Sequence, residues 1–153
     1  MTMEDTDNLL QIFSDEEAMR FYPSTKNQEE TKKWIQRTFD NYTKHGIGLW
    51  IFETKEGGEF VGQTGLVPQT IEANQEIEIG YLFARKHWGK GYATEAAIGC
   101  KNYGITQLGL RRFVSVIRPE NERSIRVAER IGMVFERIIN FHEKKHHLYS
   151  INC

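Results

Sequence analysis

The first 45 residues place apolar and polar side chains at helical spacing. Asn27 and Glu30 have the spacing of a capping box, as do Ser14 and Glu17, so each pair predicts a helix start. An apolar stripe with the period of a helix follows Glu30 and ends near Gly46. Its members are Trp34, Ile35, Thr38, Phe39 and Tyr42. Residues 1–45 are therefore predicted to be helical, with these aromatic residues in the core.

Strand-forming residues dominate the middle of the chain. Residues 47–54 and 60–67 are separated by a short segment that carries a Gly-Gly pair, which predicts a β-hairpin. Residues 76–83 predict a third strand, with Glu76 and Glu78 on the same face because side chains alternate along a strand.

The second half of the chain alternates helices and strands. The predicted elements are a helix at 93–108 ended by Gly109, a strand at 112–117, a helix at 121–131 ended by Gly132, and strands at 137–141 and 148–151. This order predicts an α/β or α+β fold with one central mixed sheet flanked by helices.

Composition limits the size and the class of the protein. A chain of 153 residues has room for one domain, 1–153, and 39% hydrophobic with 27% charged residues indicates a folded protein. The net charge of −1 gives no overall attraction to nucleic acid or to an anionic membrane, so neither is expected as a partner. The acidic N-terminus lacks an export signal, which predicts a cytoplasmic protein. Cys100 and Cys153 are expected to be reduced thiols and have no metal-ligand spacing.

A basic, glycine-containing turn is the strongest candidate for a binding site. Gly89 and Gly91 lie between a predicted strand and a predicted helix, where converging N–H groups and the positive end of the helix dipole suit a phosphate. Arg85, Lys86 and Lys90 add positive charge. The alternative is a turn that binds nothing. The spacing fits neither a P-loop nor a dinucleotide fingerprint.

His142, Glu143 and His146 formally match the zinc motif H-E-x-x-H. That motif needs a helix to bring its two histidines to one face, whereas the flanking residues here are strand-like. A β-turn between two strands is predicted, and no metal is expected.

Three blocks of sequence resemble the GNAT superfamily of acyl-CoA N-acyltransferases, and within it the branch of the ribosomal-protein-alanine N-acetyltransferases. The blocks are EIGY at Glu78–Tyr81, WGKGYATEA at Trp88–Ala96, and NERS at Asn121–Ser124 with RIGM at Arg130–Met133. The resemblance implies a mostly antiparallel GNAT sheet and acetyl-CoA as co-substrate. Together with the basic turn it gives these expected coenzyme A contacts: Leu82, Phe83, Arg85, Trp88, Gly89, Lys90, Gly91, Tyr92, Ala93, Thr94 and Asn121.

The resemblance also suggests catalytic residues. The attacking amine must be neutral, so a carboxylate is the natural proton acceptor, and Glu78 is the candidate with Glu76 in reserve. The alternative for Glu78 is a strand glutamate paired with a cation. A backbone N–H near Leu82 or Phe83 would stabilise the oxyanion. Ala128 replaces the tyrosine that many members use as acid, which leaves Ser124 as the candidate; its alternative role is a helix cap.

The acceptor is expected to be a primary amine of a small molecule or of a peptide or protein N-terminus. Residues 1–40 carry nine acidic and five basic side chains, a net charge of −4, which favours a cationic acceptor such as a polyamine or a peptide N-terminus. The alternative function is a non-catalytic acyl-CoA-binding regulatory module of the same fold. The family's first strand is expected to be missing, which exposes the hairpin edge and favours a homodimer.

Overall fold

Four α-helices flank a six-stranded sheet in the computed structural model, which describes residues 1–153 and also contains short 3-10 helices at Met3–Asp5 and Arg85–His87. The helices are α1 (Thr6–Phe13), α2 (Gln28–His45), α3 (Tyr92–Leu108) and α4 (Glu122–Arg130). The strands are β1 (Leu49–Glu53), β2 (Phe60–Ile71), β3 (Asn74–Phe83), β4 (Arg112–Ile117), β5 (Val134–Phe141) and β6 (Lys144–Asn152). The strand order is β1-β2-β3-β4-β6-β5, and only the β3–β4 pair is parallel. The predicted mixed, mostly antiparallel sheet is therefore confirmed.

The N-terminal region is only partly as predicted. Asn27 and Glu30 form the expected capping box at the start of α2. The second predicted capping box is wrong, because Ser14 lies at the end of α1 and donates its hydroxyl to the carbonyl of Leu10 at 2.7 Å. Turns rather than helix connect α1 to α2.

The β2–β3 hairpin is longer than predicted. β2 continues through Pro68 to Ile71, and the register with β3 is unbroken from Gly62 opposite Phe83 to Ile71 opposite Asn74. Proline is tolerated here because β1 pairs with β2 only as far as Gly65, so Pro68 lies on an unpaired edge.

The sheet opens between β3 and β4. Glu78 opposite Val114 is the single pair of facing Cα atoms between these two strands. The next ladder bond would run from the Val116 N–H to the carbonyl of Ile79. Instead Val116 donates to the carboxylate of Glu78 at 3.1 Å, and the Ile79 carbonyl receives the hydroxyl of Ser115 at 3.4 Å. The carboxyl ends of the two strands therefore line a cleft.

Helices cover both faces of the sheet. The side chains of α3 and α4 share a core with Leu66, Ile79 and Phe113, whereas α1 and α2 pack together in a second cluster that contacts Leu82. Gly104 of α3 permits this closeness, since a Cβ there would come within 2.7 Å of Phe113. No helix is both long and apolar enough to span a membrane.

The predicted turn at the zinc-like motif is present. His142 and Glu143, with φ of 49° and 64°, connect β5 to β6, and Phe141 pairs with Lys144. His142 and His146 consequently do not share a helix face.

Candidate functional site

The cleft between β3 and β4 contains two cavities that meet. We call the first, of about 510 Å³, the Glu78 cavity, because it lies over Glu78 and Val116. The second, of about 700 Å³, is the glycine-turn cavity, which is lined by Gly89, Gly91 and the start of α4. The residues common to both cavities are Phe21, Tyr22, Tyr81, Leu82, Asn121 and Ser124. A ligand in one cavity can therefore touch a ligand in the other.

The glycine turn presents unused hydrogen-bond donors. None of the backbone N–H groups of residues 89–94 donates a bond within the protein, and no side chain caps the start of α3. Gly89 and Gly91 each have φ of 79°, and a Cβ at either would meet nothing within 4 Å. Glycine is needed here for its left-handed backbone rather than for space. The buried hydroxyl of Thr94 also has no partner. This set of donors fits an anion with several oxygens, such as a diphosphate.

Trp88 fastens this turn to its surroundings. Its indole N–H donates to the carbonyl of Phe83 at 2.9 Å, so that carbonyl is already occupied. The guanidinium of Arg123 lies 4.2 Å from the centre of the Trp88 ring. The turn is thereby tied both to the end of β3 and to α4.

The cations at the glycine-turn cavity differ from those predicted. Arg85 pairs with Asp15 at 2.6 Å, Lys86 pairs with Glu59 at 2.8 Å, and neither they nor Lys90 line the cavity. Its cationic lining consists of Arg20, Arg123, Arg126 and Arg130. The last three recur every three or four residues along one face of α4, a pattern that could have identified them in the sequence.

Glu78 is held by two hydrogen bonds at the opening of the sheet. Its carboxylate accepts from the side chain of Gln69 at 3.0 Å and from the Val116 N–H at 3.1 Å. Part of the residue faces the cavity, yet desolvation of the carboxyl outweighs both bonds and raises its pKa. A carboxylate with a raised pKa suits proton transfer near neutral pH.

Glu76 has different surroundings, although it lies on the same face of β3. Arg112 binds it at 3.0 Å, and Glu76 lines neither of the two cavities. Its contacts are those of a structural ion pair.

The backbone of β3 directs selected amides into the cleft. Ala84 N–H donates to the Val61 carbonyl, and the two strands keep their register, so Leu82 also bonds toward β2. By the same alternation the N–H groups of Tyr81 and Phe83 point to the opposite side, where β4 has separated.

The first turn of α4 brings polar groups of Asn121 and Ser124 to the wall that both cavities share. The side-chain oxygen of Asn121 accepts the Ser124 N–H at 3.3 Å and so caps the helix, which leaves the amide NH₂ of Asn121 without a protein partner. The hydroxyl of Ser124 makes no hydrogen bond within the protein. Ala128 is 1% exposed and packs in the core, away from the cleft.

Sequence reasoning missed Phe21 and Tyr22, which the connection between α1 and α2 places over the junction of the cavities. Tyr22 is 41% exposed, but desolvation of its hydroxyl and the nearby charge of Glu78 raise its pKa to about 12. Tyr81 donates its hydroxyl to the Ser124 carbonyl at 3.2 Å. The connection between α1 and α2 has no regular hydrophobic pattern, so the sequence does not indicate that Phe21 and Tyr22 reach the cleft.

The acidic side chains of residues 1–40 lie outside the Glu78 cavity, and Glu17 alone among them lines the glycine-turn cavity. Lys26 and Arg37, by contrast, line the Glu78 cavity. Of the predicted site residues, those that line one or both cavities are Glu78, Leu82, Phe83, Trp88, Gly89, Gly91, Tyr92, Ala93, Thr94, Asn121 and Ser124.

Comparisons with known proteins agree with this architecture. Residues 1–134 match the acetyltransferase (GNAT) domain. The chain is 44% identical over 128 residues to the uncharacterized protein YkkB of Bacillus subtilis, covering 84% of this chain and 74% of that protein. It is 32% identical over 146 residues to the uncharacterized N-acetyltransferase p20 of Bacillus licheniformis, covering 94% and 82%. An acetyltransferase from Agrobacterium tumefaciens superimposes with a TM-score of 0.87 at 25% identity, covering all of this chain and 88% of that one. The chain belongs to the GNAT family of acyl-CoA-dependent N-acetyltransferases.

Proposed function

We propose that the protein transfers the acetyl group of acetyl-CoA to a primary amine by direct attack, without a covalent enzyme intermediate. The observation that carries the proposal is the meeting of two chemically different cavities. Free amides lie in the glycine-turn cavity, and a carboxylate with a raised pKa lies in the Glu78 cavity. The acceptor amine and the donor thioester would meet at the wall that contains Tyr81 and Ser124.

The glycine turn would hold the diphosphate of coenzyme A. The N–H groups of the cavity-lining residues Gly89, Gly91, Tyr92, Ala93 and Thr94 have no partner within the protein, so together with the N-terminus of α3 they would supply donors and a positive dipole end. The free NH₂ of Asn121 would donate to a carbonyl of the pantetheine arm. Arg123 and Arg130 would supply positive charge at the same cavity, whereas Arg126 is paired with Glu122 at 3.2 Å.

Glu78 would act as the general base. Acetyl-CoA supplies an activated thioester, whose C–S bond breaks as the amine nitrogen bonds to the carbonyl carbon. The proton lost by the amine passes to Glu78, directly or through water. The N–H of Tyr81 or Phe83 would stabilise the carbonyl oxygen, because a donor fixed in the sheet needs no reorganisation.

The leaving thiolate needs a nearby donor. The unpartnered hydroxyl of Ser124 would donate to the sulfur, and Tyr22, a neutral phenol at pH 7, would be a second donor at the same wall. A thiolate whose conjugate acid has a pKa near ~8.5 leaves readily, so the contribution of either group is modest.

Cys100 is unsuited to be a covalent nucleophile. It is 6% exposed in the core, and desolvation raises its pKa despite a contact with Thr64 at 3.4 Å. Its thiolate is therefore disfavoured, and it lines neither cavity.

The test is a thiol-release assay with acetyl-CoA and a panel of primary amines that includes amino acids, polyamines and short peptides. We expect amine-dependent thiol release that is lost in Glu78→Gln and kept in Glu76→Gln. Binding of coenzyme A without thiol release from any amine would overturn the proposal.

A further inference from the structure

The Glu78 cavity has a strongly unequal charge. Its cationic lining residues are Lys26, Arg37, Arg118 and Lys144, and the only carboxylate that lines it is Glu78. Glu78 lies where the proposed function puts the reacting amine. The rest of the cavity therefore presents positive charge to the remainder of the acceptor.

Two of these cations are held by an aromatic ring and not by a carboxylate. The ammonium of Lys26 lies 5.4 Å, and the guanidinium of Arg37 5.2 Å, from the centre of the Trp34 ring. Trp34 itself is fixed by a bond of 3.0 Å from its indole N–H to Gln63. Neither cation has an acidic partner within 4.0 Å, so both charges are available to a ligand.

The residues after β4 and at the start of β6 add a second pair of cations to the lining, Arg118 and Lys144. Lys144 has no acidic partner within 4.0 Å. Arg118 contacts Glu120 at 3.5 Å through a terminal nitrogen, while its buried Nε has no hydrogen-bond partner. A buried guanidinium N–H without an acceptor is costly unless a ligand satisfies it.

We infer that the acceptor is a primary amine that also carries an anionic group, a carboxylate or a phosphate. This inference rests on the proposed function. The amine faces Glu78, and the anionic group faces Lys26 and Arg37 or Arg118 and Lys144. A polycationic amine is repelled by the same residues. The acidic side chains of residues 1–40 do not offset the positive charge of the Glu78 cavity, because none of them lines that cavity.

The test compares acceptors that differ only in the anionic group. The pairs are 4-aminobutyrate with n-butylamine, O-phosphoethanolamine with ethanolamine, and the peptide amide Ala-Glu-Glu with Ala-Gln-Gln, with spermidine as the polycation. We expect kcat/KM to favour the anionic member of at least one pair by about tenfold or more. The pair with the largest ratio of kcat/KM shows whether the anionic group of the preferred acceptor is a carboxylate or a phosphate. It also shows whether that acceptor is a small amine or a peptide.

Charge-neutralising variants then locate the preference. We make the double variant Lys26→Met with Arg37→Gln and, separately, the variant Arg118→Gln. In at least one of them we expect the ratio of kcat/KM between anionic and neutral acceptor to fall, mainly through KM. Lys33→Gln is the control, because Lys33 is exposed on α2 and lies outside the cavity. In about 1 M salt, where the Debye length is about 3 Å, the ratio should also fall.

The inference is overturned if the neutral members or spermidine are the better acceptors, or if the preference survives in both the double variant and Arg118→Gln. Those results leave amine acetylation itself intact. Failure of the proposed function is a different result: coenzyme A binds, and no member of any pair releases thiol.

Discussion

The carboxylate of Glu78 accepts the backbone N–H of Val116 at 3.1 Å and thereby replaces a β3 carbonyl in the ladder between β3 and β4. One side chain thus satisfies the donor that would be left unpaired where the strands separate. The same bond holds the carboxylate at the mouth of the cleft. The opening of the sheet and the position of the proposed base consequently have a common cause.

Replacement of Glu78 by glutamine separates these two roles. Glutamine keeps an oxygen for the Val116 N–H, so the fold should persist, but it cannot accept a proton from the amine. We expect kcat to fall by about a hundredfold or more. The pH profile of the remaining activity should shift upward, because the amine must then lose its proton to solvent. Steady-state rates across pH, with unchanged coenzyme A affinity by calorimetry, check this.

Glu76→Gln is the matched control for that experiment. It changes the same kind of residue on the same face of β3, but its lost partner is Arg112 at 3.0 Å. Turnover should stay at the level of the unchanged protein, and the free energy of unfolding should fall by about 1 kcal/mol. A larger loss of kcat in Glu76→Gln than in Glu78→Gln would assign the base to Glu76.

The raised pKa of Glu78 also affects stability. The folded-state pKa of Glu78 is above the ordinary value of 4.5. The stability that this residue contributes is therefore fully present below pH 4.5 and is lost as the pH rises through the folded-state pKa. Relative to the unchanged protein, Glu78→Gln should therefore gain stability between acidic and neutral pH. Urea unfolding at several pH values measures the difference.

Glu136 provides a control of opposite sign. Burial by itself would raise the pKa of Glu136, but hydrogen bonds from Ser150 and Arg112 lower it below the ordinary value. The stability that this residue contributes is present above its unfolded pKa and lost as pH falls through the folded-state value. Glu136→Gln should accordingly lose stability at neutral pH and little at acidic pH. The same trend in both variants would contradict the assignment of the Glu78 shift.

Local signals in the sequence were sufficient for most of the fold. Asn27 with Glu30 marks the start of α2, and Gly109 marks the end of α3, because capping bonds and left-handed glycines act within a few residues. Glycine at 89 and 91 likewise identified the turn, since its two positive φ angles are local properties of the backbone.

Tertiary contacts explain what the sequence did not show. β2 passes through Pro68 because its neighbour β1 has already ended, which no local pattern reveals. Arg85 suggested an anion contact, but its partner Asp15 is 70 residues away in the chain. Tyr22 reaches the cleft from an irregular connection, so its position depends on how α1 and α2 pack.

Alanine at Gly91 should weaken coenzyme A binding. The φ of 79° is unfavourable for any residue with a Cβ, by about 1–2 kcal/mol, so the turn is expected to relax and move its free amides. We expect the dissociation constant for coenzyme A to rise by about tenfold or more. Gly99→Ala is the control, because Gly99 is exposed in α3 and a Cβ there meets nothing within 4 Å. That variant should bind normally and gain up to about 1 kcal/mol of stability. Equal affinities for the two variants, measured by calorimetry, would exclude the glycine turn as the diphosphate site.

Asn121 has a capping oxygen and a free NH₂, and two substitutions distinguish them. Asn121→Ala removes both groups, so stability should fall by about 1 kcal/mol and coenzyme A affinity should fall with it. Asn121→Asp keeps an oxygen for the Ser124 N–H and places a negative charge at the start of α4, so stability should be retained. Its affinity for coenzyme A should nevertheless decrease, because the donor to the pantetheine arm is gone. The affinity should remain low in high salt, which screens the added charge. Normal binding by Asn121→Asp in high salt would restrict Asn121 to its capping role.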